Sequence, residues 1–436
     1  MKTLKFQYSP LWLILAWGSA LLAGPCQAGY VEGMAAYERK DFITALQEFK
    51  PLAEQGGSDA QNRLAEMYDN GEGVPQDLKE AVKWYRLAAA QGNSTAQTSL
   101  GVMYYLGRGV AKNFNEAMRW YQLATESGSD RAPKLIGVLH YFGHGVPQDF
   151  KEALKWYRVA ATRGNAAAQI DIGLMYAKGE GVAQDYQEAM KWFRLATESG
   201  SADAQNRVGE MYEIGQGLTQ DFKEALKWYR MAAEQGHAGA QHNLGGMYDS
   251  GLGVAQDYKL AAHWYRLAAE QGHANAQNNL GSMYGKGQGV AEDFIESASW
   301  YRRAAEQGNA TAQSNLGAMY AVGKGVAQDY KEAVKWYRLA AEQGNAAVQN
   351  NLGALYENGQ GVAANRIVAY AFYSLSAAGD SSSANRAVDN LARLSGTLSA
   401  REIAIAKEVA REMTKPGNLL KALDKYLPKS TRTKKN

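Results

Sequence analysis

The chain has 436 residues, 47 basic and 44 acidic, with 46 glycines, 8 prolines and one cysteine. A 46% hydrophobic content at almost no net charge excludes a disordered chain, which lacks the apolar side chains to build a core. Cys26 lies within the first 28 residues. Without them the chain has no thiol, so disulfides, cysteine-ligated zinc and a cysteine nucleophile drop out together.

Residues 1–28 read as an export signal. Lys2 and Lys5 precede a mostly apolar stretch from Leu11 to Ala23 and small residues ending at Ala28, and a helix of that length cannot span about 30 Å of hydrocarbon. Cleavage after Ala28 is expected, giving a periplasmic or secreted protein. The alternative is a lipoprotein anchored through Cys26, against which Pro25 stands where a small residue is expected and Ala23 where leucine is usual.

From residue 57 one unit recurs. Trp84, Trp120, Trp156, Trp192, Trp228, Trp264, Trp300 and Trp336 are each 36 residues apart, the signature of a solenoid. Ala60 and Met67 open columns in the same register, and a ninth unit places Phe372 at the tryptophan position. Each unit reads as two helices. The first, about Ser58 to Asn70, buries Ala60, Leu64 and Tyr68 and meets its partner through a small residue, Ala65, Gly101, Gly137 or Gly173. Paired glycines such as Gly71 and Gly73 make the turn. In the second helix Asp77 sits three residues before Glu80, as Asp149 does before Glu152 and Asp329 before Glu332. This spacing predicts a capping box, in which the glutamate also reaches back to the aspartate's amide. Ala81, Trp84, Tyr85 and Ala88 then form an apolar stripe, and Gly92 and its equivalents end the helix. No segment alternates with period two, so the fold class is all-α.

The pattern A-x-x-x-L-G-x-M-Y, G-x-G-V, D-x-x-E-A-x-x-W-Y-R-x-A-A-E-Q-G, readable from Ala312 through Gly344, resembles the Sel-like repeat (SLR) family, relatives of the tetratricopeptide repeat. The resemblance implies a right-handed α-solenoid, a superhelix of antiparallel helix pairs whose concave surface is lined mainly by the first helices. It implies a scaffold or adaptor; exported bacterial members serve envelope assembly, signalling or host contact. Residues 29–56, with Ala36, Tyr37, Phe42, Ala45 and Phe49, look like a plain tetratricopeptide pair that caps the N-terminus. Nine repeats fill 57–379. In 380–414, helices at 381–395 and 399–414 cover the last repeat, with Leu391, Leu394, Ile403, Ile405 and Val409 as candidate buried positions. The tail, 415–436, carries seven basic residues and one acidic, Asp424, leaving the body between signal and tail at −5. It reads as a solvated terminus, with weak contact to lipid headgroups or an acidic partner as the alternative.

Catalytic signals are nearly empty. His140 and His144 are four apart, but His144 falls in the glycine turn and no nearby carboxylate completes a zinc motif. His237 and His273 alternate with Asn93, Asn165, Asn309 and Asn345 as polar turn residues. The G-x-G-V turns follow no strand and precede no Gly-Lys-Ser/Thr, so they are not phosphate loops. The repeated acids serve as caps, and the indole column reads as core. No enzyme activity, cofactor or metal is expected.

Recognition is sought in columns that drift, because positions that hold the core stay constant. On the first helix these begin at Asn62, Glu66, Asp69 and Asn70, which share a face. They become Thr98, Val102, Tyr105 and Leu106 in unit two; Lys134, Val138, Tyr141 and Phe142 in unit three; and Ile170, Leu174, Ala177 and Lys178 in unit four. Polar residues return with Asn206 and Glu210. Val102, Tyr105, Leu106, Val138, Tyr141, Phe142, Ile170 and Leu174 are therefore expected to form an apolar patch on the concave face that binds a protein or peptide, not a nucleic acid. The alternative is that tight curvature, or Pro133 in place of the usual glutamine, buries them. Two other functions stay open: carbohydrate or exopolysaccharide assembly, since aromatic side chains stack sugars, and cell-wall or β-lactam hydrolysis. The latter has been proposed for a cysteine-rich branch of the family, whose paired cysteines these repeats lack.

Overall fold

The computed structural model describes residues 25–379, 386–415 and 417–427. Most of the expected leader and the end of the basic tail, 428–436, lie outside the described residues. The chain divides into two compact units, one ending at Gly200 and one beginning at Ser201. Each is a stack of antiparallel helix pairs, and the described residues hold no strand.

The first unit opens with α1 (Pro25–Glu38) and α2 (Phe42–Glu54). Four repeats follow: α3 (Ser58–Asn70) with α4 (Leu78–Ala90), and α5 (Ser94–Leu106) with α6 (Phe114–Glu126). Next come α7 (Ala132–Phe142) with α8 (Phe150–Thr162), and α9 (Ala166–Lys178) with α10 (Tyr186–Thr197). The second unit pairs α11 (Ala202–Ile214) with α12 (Phe222–Glu234), and α13 (Ala238–Ser250) with α14 (Tyr258–Glu270). It continues with α15 (Ala274–Lys286) and α16 (Phe294–Glu306), α17 (Ala310–Val322) and α18 (Tyr330–Glu342), and α19 (Ala346–Asn358) and α20 (Arg366–Gly379). Three helices close it: α21 (Ala387–Ser395), α22 (Ala400–Met413) and α23 (Leu419–Tyr426).

Local chemistry starts and stops these helices. Asp77 Oδ1 accepts from the amides of Lys79 and Glu80 at 3.0 Å, a cap that contributes about 0.5–2 kcal/mol. The reciprocal half of the expected capping box is not made there. The Asp77 amide already donates to the carbonyl of Tyr68 at 2.9 Å, so Glu80 turns instead to Lys83 at 2.8 Å. Glu152 turns likewise to Lys155 and Glu188 to Lys191. A reciprocal box does form at Ser399 and Glu402, at the start of α22. His237 and His273 cap α13 and α15 through Nδ1, as Asn93 caps α5 through its side-chain oxygen.

The pairs lock through one tyrosine column. Tyr85, Tyr121, Tyr157, Tyr229 and Tyr265 are at most 3% exposed, and each buried ring removes about 150–250 Å² from water. Opposite Tyr157 stands Gly137, where a Cβ would lie 2.5 Å from the ring; the small residue is a packing requirement. The tryptophans are less central than their spacing suggests. Trp84, Trp300 and Trp336 are buried at 8–9% exposure, whereas Trp120, Trp156, Trp192, Trp228 and Trp264 are only half-buried. Their role is to join repeats: Trp120 packs on the α4–α5 cluster, and Trp192 on the α8–α9 cluster. A glutamine column reinforces most of the joints. Gln61 donates to the carbonyl of Ala53 and accepts from Gln91, and the arrangement recurs at Gln241, Gln277 and Gln313.

The C-terminal end differs from expectation. Leu394 and Val409 are buried, Leu391 and Ile403 half-buried, and Ile405 is exposed. Much of the basic tail is folded: Leu419, Ala422 and Leu423 bury one face of α23, and Asp424 pairs with Arg338 of α18 at 2.7 Å. Leu419, Ala422, Leu423 and Tyr426 have helical spacing, a signal that the charge count hid.

Candidate functional site

The expected patch lies within the first unit on α5, α7 and α9. Phe142 is 57% and Leu106 52% exposed, the most open of the eight residues. Val102, Tyr105, Val138, Tyr141 and Leu174 are half-buried. Ile170 is 5% exposed and is not a surface contact. Its column points between repeats, for Asn62, Thr98 and Asn206 at the same register are buried too.

The structure brings Val138, Tyr141, Phe142 and Leu174 together around a recess of about 320 Å³ between α7 and α9, floored by Tyr157 and Met175. Lys134 and Asp171, paired at 3.3 Å, and Lys178 rim it. Val102 and Tyr105 instead pack toward the α6–α7 core. Pro133 does not bury the patch. It occupies the first turn of α7, where its missing amide costs nothing. Ser129 completes the joint by accepting from the Ala132 amide and meeting the Thr98 hydroxyl.

Four residues outside the expected patch, His144, Phe114, Phe150 and Glu180, hold this surface. The His144 ring stacks on Phe114 with centroids 4.7 Å apart and planes 6° from parallel. It lies 5.6 Å from the Phe142 ring and is hydrogen-bonded through Nδ1 to the Tyr105 hydroxyl at 3.0 Å. One repeat on, Tyr141 packs edge-on against Phe150 and its hydroxyl donates to Glu180 at 2.6 Å. Burial, then the Glu180 hydrogen bond and charge, push that phenol up to about 12, so it stays a neutral donor at physiological pH. The signal was a pairing of columns 39 residues apart. Asp69 with Arg108, Tyr105 with His144, and Tyr141 with Glu180 occupy the same two slots with three different chemistries. His144 is thus a structural partner of Tyr105.

These groups present a rigid aromatic surface suited to gripping an apolar side chain. Among the described residues no cluster of three or more His, Cys, Asp or Glu side chains is placed to hold a metal ion, and no helix is long and apolar enough to cross a membrane.

The Sel1 repeat family model matches nine consecutive segments: 58–93, 94–129, 135–165, 166–201, 202–237, 238–273, 274–309, 310–345 and 346–381. A protective antigen of uropathogenic Escherichia coli with an SLR fold is 34% identical, with a TM-score of 0.65; the match covers 94% of this chain and 89% of that one. A Sel1 repeat protein from Oxalobacter formigenes is 33% identical, with a TM-score of 0.53, over 71% of this chain and 90% of that one. No curated protein matches.

Proposed function

The chain belongs to the Sel1 repeat family, and from that premise we propose that it is an exported, non-enzymatic adaptor that holds a protein or peptide on the α5–α7–α9 surface. Sel1-repeat solenoids generally serve as protein-binding scaffolds. The observation that carries the reading is the Phe142 ring, more than half exposed beside an apolar recess and steadied by His144. An exposed aromatic on a fixed support loses little conformational entropy on binding, which favours it as an anchor. In this reading the surface lies on the concave face, and the role belongs to envelope assembly, signalling or host contact. Its support is the leader-like residues 1–28 and the likeness to a protein that is a protective antigen.

Crosslinking and pull-down from envelope fractions, with the wild-type chain and the Tyr105→Ala/Phe142→Ala pair side by side, test it. A protein captured by the wild type and lost from the double variant, with the thermal midpoint lowered by no more than a few degrees, is the expected result. Equal capture by both refutes it. A glycan array decides the carbohydrate alternative: saturable binding that needs Phe142 favours sugars over peptide. Fractionation with N-terminal sequencing checks export, and a mature chain starting at Gly29 is expected.

A further inference from the structure

Three times the first unit fills one slot with its own tyrosine. Tyr37 packs on Phe42 and donates to Glu72. Tyr105 packs on Phe114 and bonds His144; Tyr141 packs on Phe150 and donates to Glu180. In each case the ring covers the first residue of a second helix and its hydroxyl reaches the turn of the following repeat. Four repeats beyond Tyr141, in the second unit, the slot is vacated. Gly285 stands in place of Tyr141, Phe294 keeps the place of Phe150, and Lys324 replaces Glu180.

The recess of about 290 Å³ between α15 and α17 repeats the one between α7 and α9, but with no tyrosine in the slot the Phe294 ring lines it, as Phe150 does not line the earlier one. Tyr301 and Met319 are among its lining residues, and Lys286 and Lys324 bring two cationic groups to it. Lys324 Nζ lies 3.6 Å from the centroid of the Phe294 ring, over the aromatic side chain that tyrosine covers in the first unit, and makes no ion pair among the described residues. Val322 beside it is 67% exposed.

We propose that this recess receives a tyrosine side chain from a partner segment rich in acidic residues. The ring takes the place on Phe294 that Tyr141 takes on Phe150, displacing the Lys324 ammonium from that ring, and flanking carboxylates pair with the displaced Lys324 and with Lys286. The occupant is argued from the molecule itself: the slot is built for a tyrosine three times over, and here the ring it packs on, Phe294, is kept while the tyrosine is gone and its acceptor has become Lys324. The charge at the slot has also changed sign, from Glu180 to Lys324, so an acidic segment is complementary. This site is independent of the α5–α7–α9 surface, and either can fail without the other.

The test uses the full chain and fluorescence anisotropy with a labelled Glu-Glu-Tyr-Glu-Glu peptide. Saturable binding tighter than about 1 mM is expected, at least about tenfold weaker when alanine replaces the peptide's tyrosine or lysines replace its glutamates. Gly285→Tyr combined with Ser297→Ala, which restores the third repeat's residues at those two positions, Tyr141 and Ala153, fills the slot and abolishes binding. Lys324→Gln weakens it, and Phe142→Ala leaves it unchanged. Should the filled variant fold poorly, the methyl resonance of Met319 supplies a second readout: it shifts with the tyrosine peptide and not with the alanine one. Absence of saturable binding, equal affinity for the alanine peptide, or undiminished binding by a folded Gly285→Tyr/Ser297→Ala chain overturns the proposal.

Discussion

Asp424→Ala should release α23 while leaving the repeats intact. The arginine after the tryptophan–tyrosine pair donates to a tyrosine hydroxyl 18 residues on, as Arg86 does to Tyr104 and Arg158 to Tyr176 at 2.7–2.8 Å, and Arg230, Arg266 and Arg302 do the same. The same register would join Arg338 to Tyr356, but Arg338 is taken by Asp424, and the Tyr356 hydroxyl is buried without a partner. Removing one member of a buried ion pair costs about 3–5 kcal/mol. Here the Arg338 side chain is 10% and that of Asp424 37% exposed, so water already screens part of the interaction. A fallback bond to Tyr356 returns about 1 kcal/mol. The net loss is about 1–2 kcal/mol, or roughly a five- to thirtyfold rise in the opening equilibrium of α23. Hydrogen exchange followed by mass spectrometry should show faster exchange in peptides covering 419–427 and little change in α17 or α18. Adding Tyr356→Phe removes the fallback and should deepen the loss. Equal loosening of α18, or unchanged exchange in α23, would refute the idea that Asp424 diverts a repeat-joining arginine to fasten the terminal helix.

Two further outcomes follow from geometry. Burial holds His242 below the usual imidazole range, and its ring lies 4.8 Å from that of His273, which burial and its histidine neighbours also lower. The groups around His242 are His273, Tyr265, Asn279 and, acting in the opposite sense, the Asn243 hydrogen bond and then the charge of Glu213. The unfolded chain therefore binds protons first, and the second unit should keep its full stability above about pH 6.5 and lose it as pH falls. His242→Asn, the residue its column carries at Asn206 and Asn278, should flatten that slope in urea melts run from pH 7 to 5. Gly289 has φ +69°, and a Cβ there would lie 1.9 Å from the carbonyl oxygen of Tyr258, whereas Gly272, at φ +90°, faces open space. Gly272→Ala should cost about 1–2 kcal/mol, the left-handed penalty alone; Gly289→Ala should cost clearly more, since backbone must move, and equal costs in denaturant titrations would contradict the close approach.

How much of this could be read in advance depended on the range of the interaction concerned. The extent of α3, the glycine turns and the caps at Asp77 and His237 are set within a few residues, and a 36-residue repeat states them many times over. Tyrosine proved more central than tryptophan because spacing fixes a face and not a depth: Tyr157 meets Gly137 inside its own pair, while Trp192 reaches toward the preceding repeat. Ile170 is buried against expectation for a related reason. A drifting column is one the fold of a single repeat does not need, and that condition is met both by residues facing a ligand and by residues facing the next repeat. Separating the two requires a partner column. Where Asp69 answers Arg108 and Tyr141 answers Glu180, variation in one slot is matched in the other, and the pair belongs to the joint between repeats. Phe142 has no such answering residue at the same spacing and stands exposed. Gly285 and Lys324 break the matching altogether, since a residue without a side chain cannot answer a cation. Variation unmatched inside the chain is the kind that selection by an outside partner would leave, which is why the two candidate surfaces fall at these positions and not at the indoles.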